Sequence, residues 1–196
     1  MKKSLKWGLI IFLIFFIFLA IKGTLLLYPE KETADEIINR FTYEEWKDFS
    51  PLTGEFKIRF PINPIHQTDT IPVPHTDLVA NFNMYTTGDK INDAIYFIYI
   101  TESPVDPMEI GVSNPLEIAL NGMLLSKLNL KLISSEATTF GEYEALDFLI
   151  QEKPGVFMRG KLIMAERTLY QLVVAYESET YKESDYSRFI NSFELF

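Results

Sequence analysis

The sequence predicts an α+β fold: an N-terminal transmembrane helix followed by one antiparallel sheet flanked by helices, an α/β/α sandwich. Three observations predict it. An apolar run, interrupted at Lys22, occupies residues 7–28, about seven later segments have strand patterns bounded by turn residues, and two segments carry apolar residues at helical spacing. Residues 94–100 are apolar at consecutive positions, which is typical of an inner strand covered on both faces. We therefore expect helices on each side of the sheet.

The apolar run predicts a membrane anchor. Residues 7–28 would form a helix of roughly 33 Å, which is long enough to cross the hydrocarbon layer of a bilayer. The shorter stretch 7–21 also has the length of a signal-peptide core, but no Ala-x-Ala-like site follows it, so an uncleaved signal-anchor is favoured over a cleaved signal. Three lysines precede the run, and four acidic residues dominate its far side (Glu30, Glu32, Asp35 and Glu36). The positive-inside rule then predicts a single-pass protein of the cell membrane, with a cytoplasmic N-terminus and an extracytoplasmic C-terminal domain.

Charge and cysteine content exclude several classes of function. Residues 1–28 hold four lysines and no acidic residue, so the remaining 14 basic and 27 acidic side chains give the rest of the chain a net charge of -13. A domain this acidic is repelled by phosphate backbones, so we expect no nucleic-acid binding. The chain has no cysteine, which excludes disulfides, thiolate metal sites, cysteine nucleophiles and a lipid-modified N-terminal cysteine.

The chain divides into three parts by pattern: a membrane anchor at residues 1–28, a juxtamembrane linker helix at 29–52, and a folded domain at 53–196. The linker is charged and carries one narrow apolar stripe at helical spacing. A spacer that packs its stripe on the domain is favoured over a self-association or partner helix, because the stripe is too short for several heptads.

The folded domain begins with strands. Residues 56–60 alternate strictly and end at Pro61, which predicts a strand with one buried face. Residues 61–75 contain four prolines and predict an extended loop, because proline is not tolerated in helices or inner strands. Residues 77–85 and 94–101 then predict a hairpin around a turn at 86–90.

The second half of the domain is predicted to contain two helices around a meander. Asn114 has the features of an N-cap, with Pro115 at the first helical position and Glu117 in place for a capping box, so a helix is expected from Pro115 to about Lys127. Four strands with short connections follow, beginning near residues 131, 142, 156 and 169. Residues 180–193 predict an amphipathic C-terminal helix.

This order of strand, Pro-rich loop, hairpin, helix, meander and C-terminal helix resembles the PsbP-like α/β/α sandwich superfamily. The resemblance covers about residues 53–196 and is carried by turn and core positions at 56–61, 141–145, 159–160, 167–172 and 188–193. Members of this superfamily mostly act as binding or assembly factors. The resemblance therefore implies a non-enzymatic role and assigns no site residue. The chain departs from bacterial relatives at its membrane end, where an apolar segment replaces the lipidated cysteine that many of them carry.

The two histidines are the candidate metal ligands. His66 and His75 both lie in the Pro-rich loop, with Asp69 and Asp77 nearby, so a zinc or manganese site with two histidines and two carboxylates is chemically feasible. Their spacing matches no short ligand pair on a helix or tight turn, and solvent-exposed loop histidines are the favoured interpretation.

Other polar and aromatic residues offer weaker candidates. Glu142 and Glu144 lie two apart and are interpreted as solvated strand charges, since glycosidase carboxylates face each other from different elements. Asp147 sits among apolar neighbours, and we expect it to pair across the sheet with Arg159 or Lys161. Five tyrosines could line a ligand cleft, although core packing is favoured; these are Tyr96, Tyr99, Tyr143, Tyr170 and Tyr176.

Together these patterns predict a membrane-anchored extracytoplasmic domain that acts, without catalysis, as a binding or assembly factor for a protein partner in the cell envelope. Residues 7–28 are expected to contact the lipid bilayer, and no cofactor is expected. The alternative is a small-ligand or metal-binding module, secreted if the N-terminal segment is cleaved. The sequence contains no nucleophile elbow, phosphate-binding loop or dinucleotide fingerprint.

Overall fold

The computed structural model describes residues 46–72, 78–89, 93–107, 113–126, 130–177, 179 and 181–196. Its main element is a seven-stranded antiparallel sheet that two blocks of the chain build. A hairpin unit supplies β3 (Ile65–Pro72), β4 (Val79–Asp89) and β5 (Ala94–Glu102), and a meander supplies β6 (Lys131–Phe140), β7 (Tyr143–Lys153), β8 (Val156–Ala165) and β9 (Thr168–Glu177). The pairing of β5 with β9 joins the two blocks, so the strand order is β3-β4-β5-β9-β8-β7-β6.

A second, three-stranded sheet lies against one face of the large one. Its central strand is β2 (Phe56–Phe60), which pairs antiparallel with β1 (Lys47–Phe49) on one side and with β10 (Glu194–Leu195) on the other. Phe56, Ile58 and Phe60 in β2 are all fully buried. The small sheet thus brings the two ends of the described domain together.

Two short helices complete the structure. Helix α1 (Pro115–Leu125) begins at Asn114, whose side chain accepts a hydrogen bond from the Glu117 N–H at 3.2 Å. Helix α2 (Glu183–Asn191) leads directly into β10, and its Ser192 hydroxyl accepts a hydrogen bond from the Arg59 N–H at 2.9 Å. Helix α2 is therefore attached to β2 at its C-terminal end.

The large sheet has a hydrophobic core on each face, because β5 and β9 are apolar at consecutive positions. On one face, Tyr96, Ile98 and Leu172 pack with β2 and α2. On the opposite face, Phe97, Phe148 and neighbouring apolar residues pack with α1. The expectation of cover on both faces is thus met, but the covering layers differ from those predicted.

The predicted fold class is wrong. The described residues are mostly β, in two sheets with two short helices, and do not form a sheet sandwiched between helices. The physical reason is that β2 provides three buried apolar side chains to one core, while α2, with nine residues, covers only part of that face. No helix in the described part of the chain is long and apolar enough to span a membrane. The transmembrane helix predicted at residues 1–28 lies outside the described residues.

Two local predictions also need correction. The segment predicted as a Pro-rich loop contains β3, because its prolines precede or end the strand and leave residues 65–71 free to pair with β4. The end of the predicted linker helix is a strand, since Lys47–Phe49 pairs with β2 and places Phe49 against Phe60. Residues 29–45 of that linker lie outside the described part of the chain. The β4–β5 hairpin is confirmed, but its turn was predicted too early at 86–90, because residues 86–89 still belong to β4 and pair with β5. The N-cap at Asn114 and the four-strand meander are confirmed.

Candidate functional site

The two outer strands of the large sheet, β3 and β6, are the main candidate binding surfaces. Each has a paired neighbour on one side only among the described residues. Both are solvent-exposed: β3 at every position from Ile65 to Thr70, and β6 at every position from Lys131 to Ala137. An edge strand presents backbone N–H and C=O groups that another extended segment can bind.

The edge at β3 carries one of the two predicted metal ligands. The His66 ring stacks on Tyr85 with 4.3 Å between ring centroids and 7° between planes. Its Nε2 lies 2.9 Å from Asn83 Oδ1 and donates a hydrogen bond to it. These contacts fix the orientation of the imidazole on the sheet.

The predicted metal site stays a prediction. His75 and Asp77 lie outside the described residues, so the structure does not place them relative to His66. Among the residues that it does describe, no group of three or more histidine, aspartate or glutamate side chains could hold a metal ion.

Exposed apolar side chains flank β3 at both ends. Ile65, the first residue of β3, is 47% exposed, and Ile62 just before it is also exposed. At the other end, Val79 is 52% exposed and stands opposite Pro72, with Leu78 beside it in the chain. This distribution gives the edge apolar contact points on either side of its central polar residues.

The predicted carboxylate interactions are partly confirmed. Asp147 forms an ion pair with Lys161 on the neighbouring strand, with 2.8 Å between Nζ and Oδ1. Arg159 instead reaches α2, where its Nη1 lies 2.5 and 2.6 Å from the two carboxylate oxygens of Glu183. Glu142 and Glu144 are exposed, as expected of solvated charges.

Arg159 belongs to a cluster that connects β8 to α2. Its guanidinium carbon lies 4.1 Å from the centroid of the Tyr186 ring, a cation–π distance. Burial raises the pKa of Tyr186 to about 12, although the positive charge of Arg159 acts in the opposite direction. Beside this cluster, Tyr176 stacks on Tyr181 with 3.9 Å between centroids. The arrangement holds the first turn of α2 on the sheet.

The five tyrosines do not line a common cleft. Tyr96 and Tyr170 are buried in the core beneath β2 and α2, and Tyr143 and Tyr176 pack against the same core. Tyr99 packs on the opposite face of the sheet, where it stacks on Phe97. The favoured interpretation, that these rings belong to the core, is therefore confirmed.

Four buried hydroxyls near one end of β4 find no hydrogen-bond partner among the described residues. They belong to Thr86, Thr87, Tyr96 and Tyr181, and of these only Tyr96 was a candidate from the sequence. Thr87 stands directly opposite Tyr96 in the pairing of β4 with β5. Burial raises the pKa of Tyr96 far above its ordinary value, and Tyr181, Asp89 and Asp185 act in the same direction. These phenols therefore stay neutral at any physiological pH.

The free edges were not predicted as binding surfaces because sequence pattern does not reveal strand order. One signal was present in β6, which reads KLISSEATTF and has few apolar residues for a strand of its length. A strand with polar residues on both faces is typical of a sheet edge.

Comparison with known proteins finds similar solved structures but no similar sequence family. No family model matches the sequence, and no curated protein matches it. The fold is similar to the solution structure of cyanobacterial PsbP (CyanoP) from Synechocystis sp. PCC 6803, with a TM-score of 0.47 and 14% sequence identity. The alignment covers 77% of this chain and 92% of that chain. This likeness concerns the fold alone, and membership of the superfamily stays a prediction.

Proposed function

We propose that this chain is a non-enzymatic binding domain of the cell envelope whose β3 edge receives an extended segment of a protein partner. Residues 7–28 attach it to the lipid bilayer, with the N-terminus in the cytoplasm and the β domain on the extracytoplasmic side. The observation that carries the proposal is the exposed β3 edge, with apolar side chains at both of its ends. Strand addition at such an edge uses backbone hydrogen bonds for affinity and side-chain contacts for specificity.

The charge of the domain indicates what the partner segment carries. Asp69 is the only charged residue between Ile65 and Thr70, and it is exposed. The chain beyond residue 28 has a net charge of -13, from 14 basic and 27 acidic side chains. A segment with a lysine or arginine opposite Asp69 and apolar residues near Ile65 and Val79 is therefore the best complement.

Site-directed crosslinking in membranes tests the β3 edge. The chain has no cysteine, so Gln67→Cys introduces a single thiol on β3 that can carry a photoreactive label. We expect the full-length variant to form adducts with a different envelope protein, and Asn121→Cys on the exposed side of α1 to form none. Equal labelling at both positions, or no adduct at Gln67→Cys, would contradict the proposal.

A charge variant tests the chemistry of the partner. Asp69→Lys in the same labelled background places a positive charge opposite the basic partner residue that we expect. The two positive charges repel each other, so the yield of adduct should fall. Glu117→Lys, an equal charge change at an exposed position of α1, should leave the yield unchanged.

The membrane attachment and its direction need a separate experiment. Fractionation of cells that carry the chain fused to a topology reporter after Phe196 should place the reporter in the membrane fraction and on the extracytoplasmic side. A cytoplasmic reporter would reverse the proposed orientation.

A further inference from the structure

The second edge of the large sheet, β6, has properties that β3 lacks. It is a ten-residue strand without proline, exposed from Lys131 to Ala137. Its only irregularity is a register shift between Leu132 and Ser134, where Ile133 is the extra residue and is 45% exposed. Long edges of this kind are templates for pairing with another chain. The charges on β6 indicate which chain.

Lys131 and Glu136 project from the same face of the sheet. Lys131 lies opposite Gln151 in β7, and Glu136 lies opposite Asp147. Positions 147 and 151 of a regular strand share a face because side chains alternate with a period of two. Because Ile133 is an extra residue in β6, Lys131 and Glu136 are also an even number of paired positions apart and share a face. Ser134, opposite Leu149, is the midpoint between them.

Glu136 has an unfavourable electrostatic neighbour in the isolated domain. It stands directly opposite Asp147, a carboxylate that already forms an ion pair with Lys161 on its other side. Like charges opposite each other in a sheet are destabilising. Within the described residues Glu136 forms no ion pair, so a positive charge on the free side of β6 would improve its environment.

We propose that β6 pairs antiparallel with β6 of a second copy of this chain, about a two-fold axis at Ser134. In this register Lys131 of each copy lies opposite Glu136 of the other, so the two charge pairs form reciprocally, as an isologous interface requires. A two-fold axis at Glu136 would instead place two glutamates opposite each other. An axis at Ser135 would leave both charged residues opposite serine or threonine. The two seven-stranded sheets then join into one continuous sheet.

This self-pairing is independent of the partner binding proposed at β3. The exposed stretch of β3 from Ile65 to Thr70 contains one charged residue, Asp69, and offers no such reciprocal charge pair. The two edges therefore serve different partners at opposite ends of the sheet.

A single cysteine at the proposed two-fold axis tests the pairing in the full-length protein. Ser134→Cys places the two thiols opposite each other, and mild oxidation of membranes should give a disulfide-linked species of twice the chain mass. Thr70→Cys provides the matched control, because it is an exposed position on the other edge strand of the same cysteine-free chain. We expect Thr70→Cys to give no such species.

Charge reversal tests the register. In the Ser134→Cys background, Lys131→Glu and Glu136→Lys should each reduce the disulfide-linked species to the level of the Thr70→Cys control. Co-expression of these two variants with different tags should restore it, and only as the mixed species, because opposite charges then face each other again. This rescue separates a lost contact from a lost fold, since each variant must be folded to pair with the other.

Three results would overturn the proposal. The first is the absence of a disulfide-linked dimer from Ser134→Cys. The second is a dimer whose yield is unchanged by both charge reversals. The third is an adduct of Ser134→Cys with a different protein in place of a second copy, which would make β6 the edge for a foreign strand. Adducts at Gln67→Cys report on β3 separately, so failure of one proposal is distinguishable from failure of the other.

Discussion

Gly160 lies where strands β8 and β9 and the ring of Phe148 approach most closely. A Cβ atom at this position would collide with the Leu172 carbonyl oxygen of the neighbouring strand and lie 2.8 Å from Phe148 Cζ. Backbone on one side and a buried ring on the other leave no flexible group that can move aside. Glycine is therefore required here for space, while its conformational freedom plays no part.

We predict that Gly160→Ala destabilises the domain by about 1–3 kcal/mol, the usual cost of overpacking a core. Gly88→Ala in β4 is the matched control, because a Cβ there meets nothing within 4 Å. It should change the free energy of unfolding by less than about 1 kcal/mol, and in the stabilising direction. Urea unfolding of both variants measures the difference in the free energy of unfolding. Similar unfolding midpoints would contradict the close contact around Gly160.

The buried phenols predict how stability depends on pH. Burial raises the pKa of Tyr170 to about 12, with nearby carboxylates acting in the same direction, and it raises the pKa of Tyr186 to about 12. In the unfolded chain tyrosine titrates near pH 10. The folded state therefore holds these protons more tightly, so the stabilisation is complete below about pH 10 and is lost as the pH rises towards 12.

We expect the free energy of unfolding to fall steadily over that alkaline range, together with the appearance of tyrosinate absorbance. Tyr170→Phe should reduce the slope because it removes one of the titrating groups. A slope that is the same in Tyr170→Phe and the parent protein would show that Tyr170 ionises without unfolding the domain.

At the scale of elements, Asn114 illustrates which interactions can be read from a short pattern. Its amide oxygen accepts a hydrogen bond from the Glu117 N–H and so satisfies a donor at the start of α1. We predict that Asn114→Ala lowers the free energy of unfolding by about 1 kcal/mol. Asn121→Ala, at an exposed position in the middle of α1, should change it by less than about 0.5 kcal/mol. Thermal unfolding of the pair would show equal losses if the cap were unimportant.

The elements that the sequence predicted correctly depend on neighbours in the chain. The meander, the β4–β5 hairpin, the N-cap at Asn114 and the pairing of Asp147 with Lys161 all follow from local alternation, turns and caps. The errors occur where local composition disfavours a strand that a neighbouring strand nevertheless pairs with. Prolines flank residues 65–71, which pair with β4, and residues 47–49 follow a segment with helical spacing but pair with β2.

The candidate binding edges could not be predicted because strand order depends on a pairing between distant segments. Which strands lie outermost depends on the pairing of β5 with β9, two segments separated by a helix and three strands. Nothing in the local pattern of β3 or β6 specifies that pairing. The polar sequence of β6 is consistent with an edge strand, but its partner charges Lys131 and Glu136 acquire their relation only through the shift at Ile133.

At the scale of the whole molecule, the described residues form two hydrophobic cores, one on each face of the large sheet. The first described side chain, Trp46, packs edge-on against the buried Tyr96 ring with 5.3 Å between centroids. The small sheet is closed by β10 near the C-terminus. The described residues thus contain both a core and the strand pairing that closes it.

We predict that deletion of residues 1–28 leaves a folded protein that unfolds cooperatively. The near-ultraviolet circular dichroism of its buried tyrosines and phenylalanines should persist until a single unfolding transition. Loss of that signal, or aggregation under native conditions, would mean that the apolar segment completes the core and does not serve as an anchor.

The pairing of β5 with β9 also has a consequence for biosynthesis. Ile98 in β5 lies opposite Leu172 in β9, which comes much later in the chain. During synthesis β5 therefore leaves the ribosome long before β9, its second neighbour in the sheet. Until then β5 is an edge strand with apolar side chains on both faces, and a nascent chain that ends before β9 exposes them. Premature termination upstream of Thr168 therefore yields an aggregation-prone fragment, and cellular quality control must protect the chain until its last strands are made.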